Sequence, residues 1–279
     1  MKILITGVNG YLGSKLGDYL KKELPEHLIM GCDVQELQKR DYSRLDITNK
    51  EEVKNTIKRE KPEIIIHTAA VAHGQSSEKT ELLEKVNVNG TCNLIDAAKE
   101  NGSKFVFISS VGALTNSPYG QSKIVGEKFL KKSGLKYLIL RPCPIIGVSP
   151  NTTTNFTFNK IYHAIKEHKP VEEDSVWKFQ PSWVNHIAEI IKLWILEKFE
   201  DREPIYPIIP EEKSRFEICN DILKKFSLKA KKVDEPRYEE SEILTTESLS
   251  RNNLPIYEYK YVLSKIVEEL KNGLTLDKK

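Results

Sequence analysis

The chain alternates short apolar runs with segments of helical periodicity through its first half, and this alternation constrains the fold more than any other feature. Runs with the composition of strands lie at 2–6, 28–33, 63–68, 104–109 and 136–141. Two segments within them, 64–66 and 105–108, are continuously apolar rather than alternating. Continuous apolar runs are typical of parallel strands that helices cover on both faces.

The segments between these runs have the marks of helices. Leucine recurs at every fourth position from Leu12 to Leu24, and Thr48 with Glu51 predicts a capping box at the start of the next helix. A strand followed by a helix, repeated along the chain, predicts an α/β fold built on a doubly wound parallel sheet of the Rossmann type.

After Pro142 the pattern loosens. Helices are predicted at about 155–168, 186–199 and 257–272, a strand at 205–209, and a capping box at Ser214 and Glu217. We expect a smaller C-terminal substrate-binding lobe that is interleaved with the main domain. The dinucleotide-binding domain would comprise 1–147 with about 182–209, and the lobe about 148–181 with 210–279.

Charge and composition disfavour several classes of function. The 43 basic and 40 acidic residues give a net charge of +3, spread along the 279 residues, which disfavours nucleic-acid binding. No apolar run approaches the roughly 18 residues that a membrane span needs. The short apolar stretch before Gly7 does not resemble a secretion signal, so we expect a cytoplasmic protein.

The cysteines and histidines give no support for a metal site. The four cysteines are Cys32, Cys92, Cys143 and Cys219, and neighbours along the chain are 51 positions or more apart. That spacing fits neither a zinc ribbon nor a redox dithiol, and the six histidines form no HExxH motif. We interpret the cysteines as small buried residues of a protein in a reducing compartment and expect no metal.

Three evenly spaced glycines follow the first strand, namely Gly7, Gly10 and Gly13 in ITGVNGYLG. There the first would permit a tight turn, the second would let backbone N–H groups approach a diphosphate, and the third would let the helix pack closely on the strand. The N-terminus of the helix would favour the anion. The spacing differs from the commoner GxGxxG, so a purely structural turn is the alternative interpretation.

Asp33 ends the second predicted strand, 20 residues after Gly13. A carboxylate at this place accepts hydrogen bonds from ribose hydroxyls and repels a 2′-phosphate. NAD is therefore favoured over NADP as the cofactor. Lys39 and Arg40 keep NADP possible, and an ordinary loop aspartate is the alternative interpretation.

Tyr119 and Lys123 lie four positions apart in YGQSKIVGEKF and would share one face of a helix. An ammonium close to a phenol lowers the phenol pKa from about 10, which would provide an acid or base near neutral pH. Such pairs are also common on solvated helix faces. Ser110 favours a chemical role, because it follows the fourth predicted strand and ligand crevices lie outside the carboxyl ends of strands.

The order of motifs resembles the short-chain dehydrogenase/reductase superfamily, in its extended, nucleotide-sugar-modifying division. These motifs are TGVNGYLG, the Asp46-Ile47 pair, HTAA at 67–70, VNVNGT at 86–91, ISS ending at Ser110, YGQSK at 119–123 and LRPCPIIG at 140–147. Within that division the chain is most similar to the dTDP-4-dehydrorhamnose reductase family. This similarity rests on LDITNKEEV, Asn155-Phe156, Gln180-Pro181-Ser182 and SRFEICNDIL at 214–223.

The resemblance implies roles for individual residues. Ser110, Tyr119 and Lys123 would be the catalytic triad, and Asn87 would kink its helix and support Lys123 through water. The Asp46-Ile47 pair would contact adenine. The expected cofactor-binding residues are Gly7, Asn9, Gly10, Tyr11, Leu12, Gly13, Asp33, Asp46, Ile47, Thr68, Ala69, Ala70, Asn87, Ser109, Tyr119, Lys123 and Pro142.

The expected reaction is reduction of a nucleotide-linked 4-keto-6-deoxy sugar, with hydride from NAD(P)H and a proton from Tyr119. An epimerase or dehydratase would use the same residues and recycle the cofactor; HTAA and Ser110 lean toward epimerases. The chain departs from the family pattern at Ser110 and Val111 and near Cys143 and Pro144. Only nine positions separate Ser110 from Tyr119, where relatives have a longer loop, and this permits a third alternative, a non-catalytic dinucleotide-binding regulatory subunit.

Several further residues receive simpler interpretations. Trp183 and Trp194 are expected in the core, and His186 at a helix cap or on the surface. His73, in the loop after HTAA, could face the substrate. We also expect a homodimer through the helices at about 80–100 and 119–132.

Overall fold

A six-stranded sheet forms the centre of the computed structural model, which describes residues 1–36, 41–71, 80–151, 156–234 and 243–276. Its strands are β1 (Lys2–Thr6), β2 (Leu28–Asp33), β3 (Tyr42–Arg44), β4 (Ile64–His67), β5 (Lys104–Ile108) and β6 (Tyr137–Leu140). All neighbours are parallel, in the order β3-β2-β1-β4-β5-β6. The chain starts in the middle of the sheet and winds outward in both directions, so the predicted doubly wound Rossmann fold is confirmed.

Helices connect these strands. They are α1 (Tyr11–Glu23), α2 (Lys50–Glu60), α3 (Thr80–Leu83), a π-helical segment at Glu84–Gly90, α4 (Thr91–Asn101), a 3₁₀ helix at Val111–Leu114 and α5 (Pro118–Lys132). The remaining elements are β7 (Ile145–Ile146), α6 (Phe156–Glu167), β8 (Val171–Asp174), β9 (Lys178–Phe179), β10 (Ser182–Trp183), α7 (Val184–Ile195), β11 (Lys213–Ser214), α8 (Arg215–Lys224), β12 (Ala230–Val233), α9 (Glu247–Ser250) and α10 (Tyr259–Leu276).

Alternate residues of the central strands point to opposite faces and produce two cores. Ile3 and Ile5 belong to the core that contains the apolar sides of α1 and α7. Leu4 belongs to the other core, with side chains of α2, α4 and α5. Burying such a side chain stabilises the fold by roughly 1.5–3 kcal/mol, which explains why the central strands are apolar on both faces.

The later part of the chain extends the first of these cores. Helices α6, α8 and α10 contribute to it, and three small two-stranded sheets pair β7 with β10, β8 with β12 and β9 with β11. Helix α7 lies against α1, so the chain returns to the main sheet before it continues into α8. The division into a Rossmann domain and an interleaved lobe stays a prediction.

One prediction of local structure beside the sheet was wrong, and one strand was missed. The expected strand at 205–209 is reduced to a single bridge between Ile205 and Leu140. Pro207 lies in its middle and has no N–H to donate, which prevents a longer ladder. Strand β3 was not predicted, because it has three residues, none of them aliphatic.

Helix caps show one wrong and one confirmed prediction. Helix α2 begins one residue later than expected, with Asn49 rather than Thr48 as its cap, and the Asn49 side chain accepts from the Glu52 N–H. Ser214 and Glu217 form the predicted reciprocal capping box at α8. Thr48 and Asn49 are adjacent, so the error moves the start of α2 by one residue and leaves the helix itself as predicted.

The predicted core tryptophans Trp183 and Trp194 are buried, as expected. His186 is fully buried in α7, so its placement at a cap or on the surface was wrong: its helix turns that face toward the core. All four cysteines are free thiols. Within the described ranges, no helix combines the length and apolarity that a bilayer crossing requires.

Candidate active site

The turn between β1 and α1 is shaped by glycine. Gly7 has a φ of +71°, a left-handed conformation that glycine adopts without strain. A Cβ on Gly7 would lie 2.6 Å from backbone atoms of Ala69, and a Cβ on Gly13 would lie 2.1 Å from the carbonyl oxygen of Gly7. Because neither position has room for a side chain, α1 packs directly on the ends of β1 and β4.

Helix α1 begins directly after Gly10, which has no side chain to cap it, and no acidic residue lies in its first turn. The unsatisfied N–H groups of a first helical turn and the helix dipole favour an anion at this place. The turn therefore has the shape and the polarity that a diphosphate requires. Of the predicted residues here, Tyr11 and Leu12 have buried side chains, and the Tyr11 hydroxyl donates to the carbonyl oxygen of Gly147.

The carboxylate of Asp33 lies beside the glycine turn. It accepts from the backbone N–H of Asn9 at 3.1 Å, and the N–H of Gln35 lies 3.5 Å from its other oxygen. A carboxylate has about four lone-pair positions, so Asp33 can accept further hydrogen bonds from hydroxyl groups. Lys39 and Arg40 lie outside the described residues.

The predicted adenine contacts are occupied by contacts within the protein. Asp46 accepts from both the backbone N–H and the hydroxyl of Thr48, at 2.9 and 2.8 Å. Ile47 is buried, close to Gly90, and its carbonyl oxygen accepts from Asn93 at 3.0 Å. These contacts hold the segment after β3 in place, and the contact with adenine stays a prediction.

The segment after β4 lies next to the glycine turn. Thr68 donates its hydroxyl proton to the carbonyl oxygen of Thr6 at 2.6 Å, while Ala69 is half-buried and Ala70 is exposed. Asn87 accepts from the N–H of Val71 at 2.8 Å and donates to its carbonyl oxygen at 3.1 Å. Asn87 therefore fixes the end of this segment.

Asn87 lies in the π-helical segment Glu84–Gly90, a departure from regular helix of the kind expected there. Its side chain also donates to the Ser122 hydroxyl on α5 at 3.2 Å. Asn87 thus connects the segment after β4 with α5. Its support of Lys123 through water stays a prediction.

Two features at the N-terminus of helix α5 favour the start of a helix there. The Ser117 side chain accepts from the N–H of Gly120 at 3.1 Å, and Pro118 takes the first helical position. This start places Tyr119 in the first turn, Lys123 one turn later and Glu127 two turns later. All three side chains consequently share one face of the helix.

That face of α5 lies against the end of β5, where three of its side chains bond to three consecutive residues. The pairs are Tyr119 with the hydroxyl of Ser110, Lys123 with the carbonyl oxygen of Ile108 at 3.0 Å, and Glu127 with the hydroxyl of Ser109. The structure therefore brings the three predicted catalytic residues together. It also places the predicted cofactor residue Ser109 in a buried bond to Glu127.

The short segment between Ser110 and Tyr119 is the single 3₁₀ turn Val111–Leu114. The Ser110 oxygen accepts from the N–H of Gly112 at 3.0 Å, which leaves its own proton for Tyr119. A Cβ on Gly120 would lie 1.9 Å from the carbonyl oxygen of Gly112, so the turn packs backbone to backbone on α5. The short segment thus brings serine and tyrosine together. Pro142, the last predicted cofactor residue, is buried and accepts from the Val111 N–H at 3.1 Å.

Burial dominates the electrostatics of this face. Burial raises the pKa of Tyr119 above its ordinary value, and the hydrogen bond from Ser110 opposes that shift. Burial lowers the pKa of Lys123 to about 8, and the negative charge of Glu127 opposes the decrease. The predicted net decrease in the pKa of Tyr119 was wrong, because burial of the phenol raises that pKa and the hydrogen bond with Ser110 offsets the increase only in part.

Sequence reasoning missed two buried residues here. His67 in β4 bonds through its ring nitrogens to the hydroxyls of Thr6 and Thr91, at 2.8 and 3.0 Å. Burial lowers its pKa to about 3, so it is neutral at physiological pH. Glu127 was the second; its spacing of four from Lys123 was the available signal. His73 lies outside the described residues.

Residues 3–179 match the family model described as the NAD dependent epimerase/dehydratase family. The chain belongs to this family. The match covers the main sheet, the glycine turn and α5, and it confirms the predicted extended short-chain dehydrogenase/reductase class and a nicotinamide dinucleotide as cofactor.

The curated relatives that this chain resembles have several different activities. A GDP-6-deoxy-D-talose 4-dehydrogenase from Aggregatibacter actinomycetemcomitans is 26% identical over 230 residues, which is 72% of each chain. A dTDP-4-dehydrorhamnose reductase from the same organism is 31% identical over half of each chain. A sterol-4-alpha-carboxylate 3-dehydrogenase from Candida albicans is 28% identical over 52% of this chain and 51% of its own. The chain spans about half the length, or less, of several of the curated relatives that it matches.

Solved structures share the fold over nearly the whole chain. The dTDP-4-dehydrorhamnose reductase of Bacillus anthracis, in complex with NADP, has a TM-score of 0.80 and 24% identity, and covers 96% of this chain and 99% of its own. The UDP-glucose 4-epimerase of Thermus thermophilus, in complex with NAD, has a TM-score of 0.81 and 20% identity, over 97% and 99%. Reductases and epimerases are thus both structural neighbours.

Proposed function

We propose that the protein is an NAD(P)-dependent reductase of a nucleotide-linked 4-keto-6-deoxy sugar. The observation that supports this most is the hydrogen-bonded pair Ser110 and Tyr119, with Lys123 buried one helical turn later. This group lies at the carboxyl end of β5, and the glycine turn lies at the carboxyl end of β1, separated in the sheet only by β4. Open α/β sheets bind ligands along this edge.

The residues along this edge fit a dinucleotide. The turn excludes side chains, helix α1 offers its N-terminus to a diphosphate, and Asp33 has lone pairs for a ribose diol. When bound, the reduced cofactor supplies a hydride to the carbonyl carbon. Because Asp33 would repel a 2′-phosphate, we propose NAD as the preferred cofactor, with NADP possible.

Tyr119 and Lys123 on α5, and Ser110 at the end of β5, would share the remaining chemistry. Tyr119 would protonate the carbonyl oxygen, and a raised pKa suits an acid that has to keep its proton until the reaction begins. With substrate bound, Ser110 would donate its one hydroxyl proton to the same oxygen instead of to Tyr119, as negative charge develops on that oxygen. Lys123 would hold the ribose next to the reactive ring of the cofactor.

A second candidate, a nucleotide-sugar epimerase or dehydratase, has equal support from the family match. A putative UDP-glucose 4-epimerase from Methanocaldococcus jannaschii is 29% identical over 52% of this chain and 56% of its own. Such an enzyme would first use Tyr119 as a base. The raised pKa of Tyr119 opposes that role, so we place this candidate second.

The stoichiometry of the cofactor separates these candidates. The purified protein would be mixed with NADH or NADPH and a panel of nucleotide-linked 4-keto-6-deoxy sugars, and the reduced nicotinamide followed by its absorbance. A reductase consumes one cofactor per sugar reduced. Conversion of UDP-glucose without net cofactor consumption would establish the epimerase instead. Tight cofactor binding without turnover of any sugar would overturn both and indicate a regulatory subunit.

We also propose a homodimer in the cytoplasm. Val125 and Phe129 are 40% and 37% exposed on α5, and apolar side chains grouped on one helix are typical of a subunit interface. Free thiols throughout fit a reducing compartment. Sedimentation velocity would test this proposal. The wild type should sediment as a dimer and a Phe129→Glu variant as a monomer.

A further inference from the structure

Glu127 lies one helical turn beyond Lys123, and no motif assigns it a role. We propose that Glu127 is a positioning residue of the reaction site, which keeps Lys123 protonated and fixes the end of β5 against α5. This inference rests on the proposed function, in which the charged Lys123 holds the ribose of the cofactor.

The carboxylate of Glu127 is fully engaged inside the protein. Its side chain is 2% exposed, and it forms a two-pronged ion pair with Arg141, at 2.8 Å from Nε and 2.6 Å from Nη2. The oxygen that accepts from Nε also accepts the hydroxyl proton of Ser109. Arg141 donates from Nη1 to the hydroxyl of Tyr206 at 2.8 Å. Each of these contacts is possible only for a side chain held in one conformation.

Lys123 needs a negative charge nearby. It is 4% exposed, its Nζ donates to one carbonyl oxygen, and the same atom lies 5.3 Å from the centre of the Phe107 ring. A buried ammonium loses its proton unless an opposite charge is near. The Glu127 charge raises the pKa of Lys123 against the effect of burial.

The other titratable or charged groups around Lys123 cannot supply that charge. On α5, Tyr119 has a raised pKa and is neutral at physiological pH. On β4, His67 is neutral, and at the end of β6 Arg141 is positive. Among the described groups that face Lys123 from these elements, Glu127 is the anion.

Glu127 also fixes the strand end that presents the other two residues. Its partner Ser109 lies between Ile108, which accepts from Lys123, and Ser110, which bonds to Tyr119. Loss of the Glu127 contact would remove the side-chain bond of Ser109, which would then be held there by its backbone N–H, bonded to the carbonyl oxygen of Leu140 at 2.8 Å. The charge of Glu127 and its position therefore act on the same reacting groups.

The test is the pH dependence of NADH affinity, measured by fluorescence titration from roughly pH 6 to 10. In the wild type, affinity should fall as the pH rises through about 8, where Lys123 loses its proton. In Glu127→Gln the midpoint should move to lower pH by about 0.5–1 unit. Glu127→Asp keeps the charge, so its midpoint should differ from that of the wild type by at most about half of that shift.

A matched control removes another buried carboxylate. Glu173 in β8 is 5% exposed and paired with Lys160 at 3.2 Å, so Glu173→Gln makes the same chemical change in the lobe. Its midpoint should equal that of the wild type. If Glu127→Gln does not fold because Arg141 is left unpaired, the double variant Glu127→Gln/Arg141→Gln removes both charges, and its midpoint should still lie below that of the wild type.

An unchanged midpoint in Glu127→Gln, or in the double variant where the single one does not fold, would overturn the inference. An equal shift in Glu127→Asp and Glu127→Gln would also overturn it, since the effect would then not follow the charge. Failure of the wild type to bind either NADH or NADPH would instead refute the proposed function. The two failures are therefore distinguishable.

Discussion

The two ends of the candidate site are constructed in opposite ways. At the glycine turn, Gly7 and Gly13 leave no room for side chains, so recognition there depends on backbone shape and helix polarity. On the α5 face, Lys123 and Glu127 are buried and Tyr119 is half-buried, and these polar side chains are held by hydrogen bonds and charge. The first end should respond to added volume and hardly to pH, whereas the second should respond to charge and pH.

The largest expected effect is that of added volume at the turn. In Gly13→Ala the new Cβ would lie 2.1 Å from the backbone oxygen of Gly7, so α1 has to move. Overpacking of this kind costs about 3 kcal/mol. We expect NADH affinity to fall about a hundredfold and the melting temperature to decrease. Gly17→Ala on the same helix is the control, because its Cβ would make an ordinary contact of 3.6 Å with Val8. Wild-type affinity in Gly13→Ala would refute the assigned role of the turn.

The next effect concerns the chemistry at the other end. Tyr119→Phe removes the proton donor and leaves the shape of the side chain, so turnover of the keto sugar should decrease about a hundredfold, with no loss of stability expected. NADH affinity should remain close to that of the wild type. Tyr137→Phe, which removes a hydroxyl that donates to the Arg202 carbonyl oxygen at 3.3 Å, should leave turnover unchanged. Equal turnover in both variants would show that the phenol is not the acid.

A smaller effect sharpens the contrast in pH dependence. The pKa of Lys123 is about 8 in the folded chain against an ordinary 10.5, so the unfolded chain binds more protons between these values. Stability from this residue therefore increases as the pH rises from about 8 to 10.5. Lys123→Met should be more stable than the wild type at pH 7 in urea unfolding, and the difference should narrow by pH 10. A difference independent of pH would contradict the buried charge.

The smallest effect should come from Asp33, at the rim of the turn. Asp33→Asn keeps an oxygen for the Asn9 N–H and removes the charge that repels a 2′-phosphate. The preference for NADH over NADPH should fall on the order of tenfold, about 1.4 kcal/mol. Asp18→Asn, at an exposed position of α1, controls for net charge. An unchanged preference would mean that other residues select the cofactor.

The same contrast explains what the sequence could predict. The glycine turn is local: a strand, three glycines and a helix are adjacent in the chain, so composition and spacing are sufficient to predict it. The Glu127 network is not local, since Arg141 is 14 positions away and Tyr206 is farther still. Spacing indicated that Tyr119 and Lys123 share a face, but not how far the fold removes each of them from water, and that removal is the main cause of both pKa shifts.

Other differences have similarly local causes. Ile208 and Ile209 have the composition of a strand, but they lie between Pro207 and Pro210. Because proline has no N–H to donate, the apolar run cannot form a longer strand ladder. Thr48 was predicted to cap α2, but it bonds to Asp46, and the adjacent Asn49 takes the cap. Two neighbouring polar residues can each satisfy the same local rule, and only the folded chain shows which one does.

A crystal structure of the protein with bound NAD would test the central claim most directly. We predict that the diphosphate lies on the N-terminus of α1, that Lys123 donates to the hydroxyls of the nicotinamide ribose, and that the hydroxyl of Tyr119 faces the nicotinamide ring. A nicotinamide ring bound away from α5, with Lys123 still bonded only to the Ile108 carbonyl oxygen, would contradict the account.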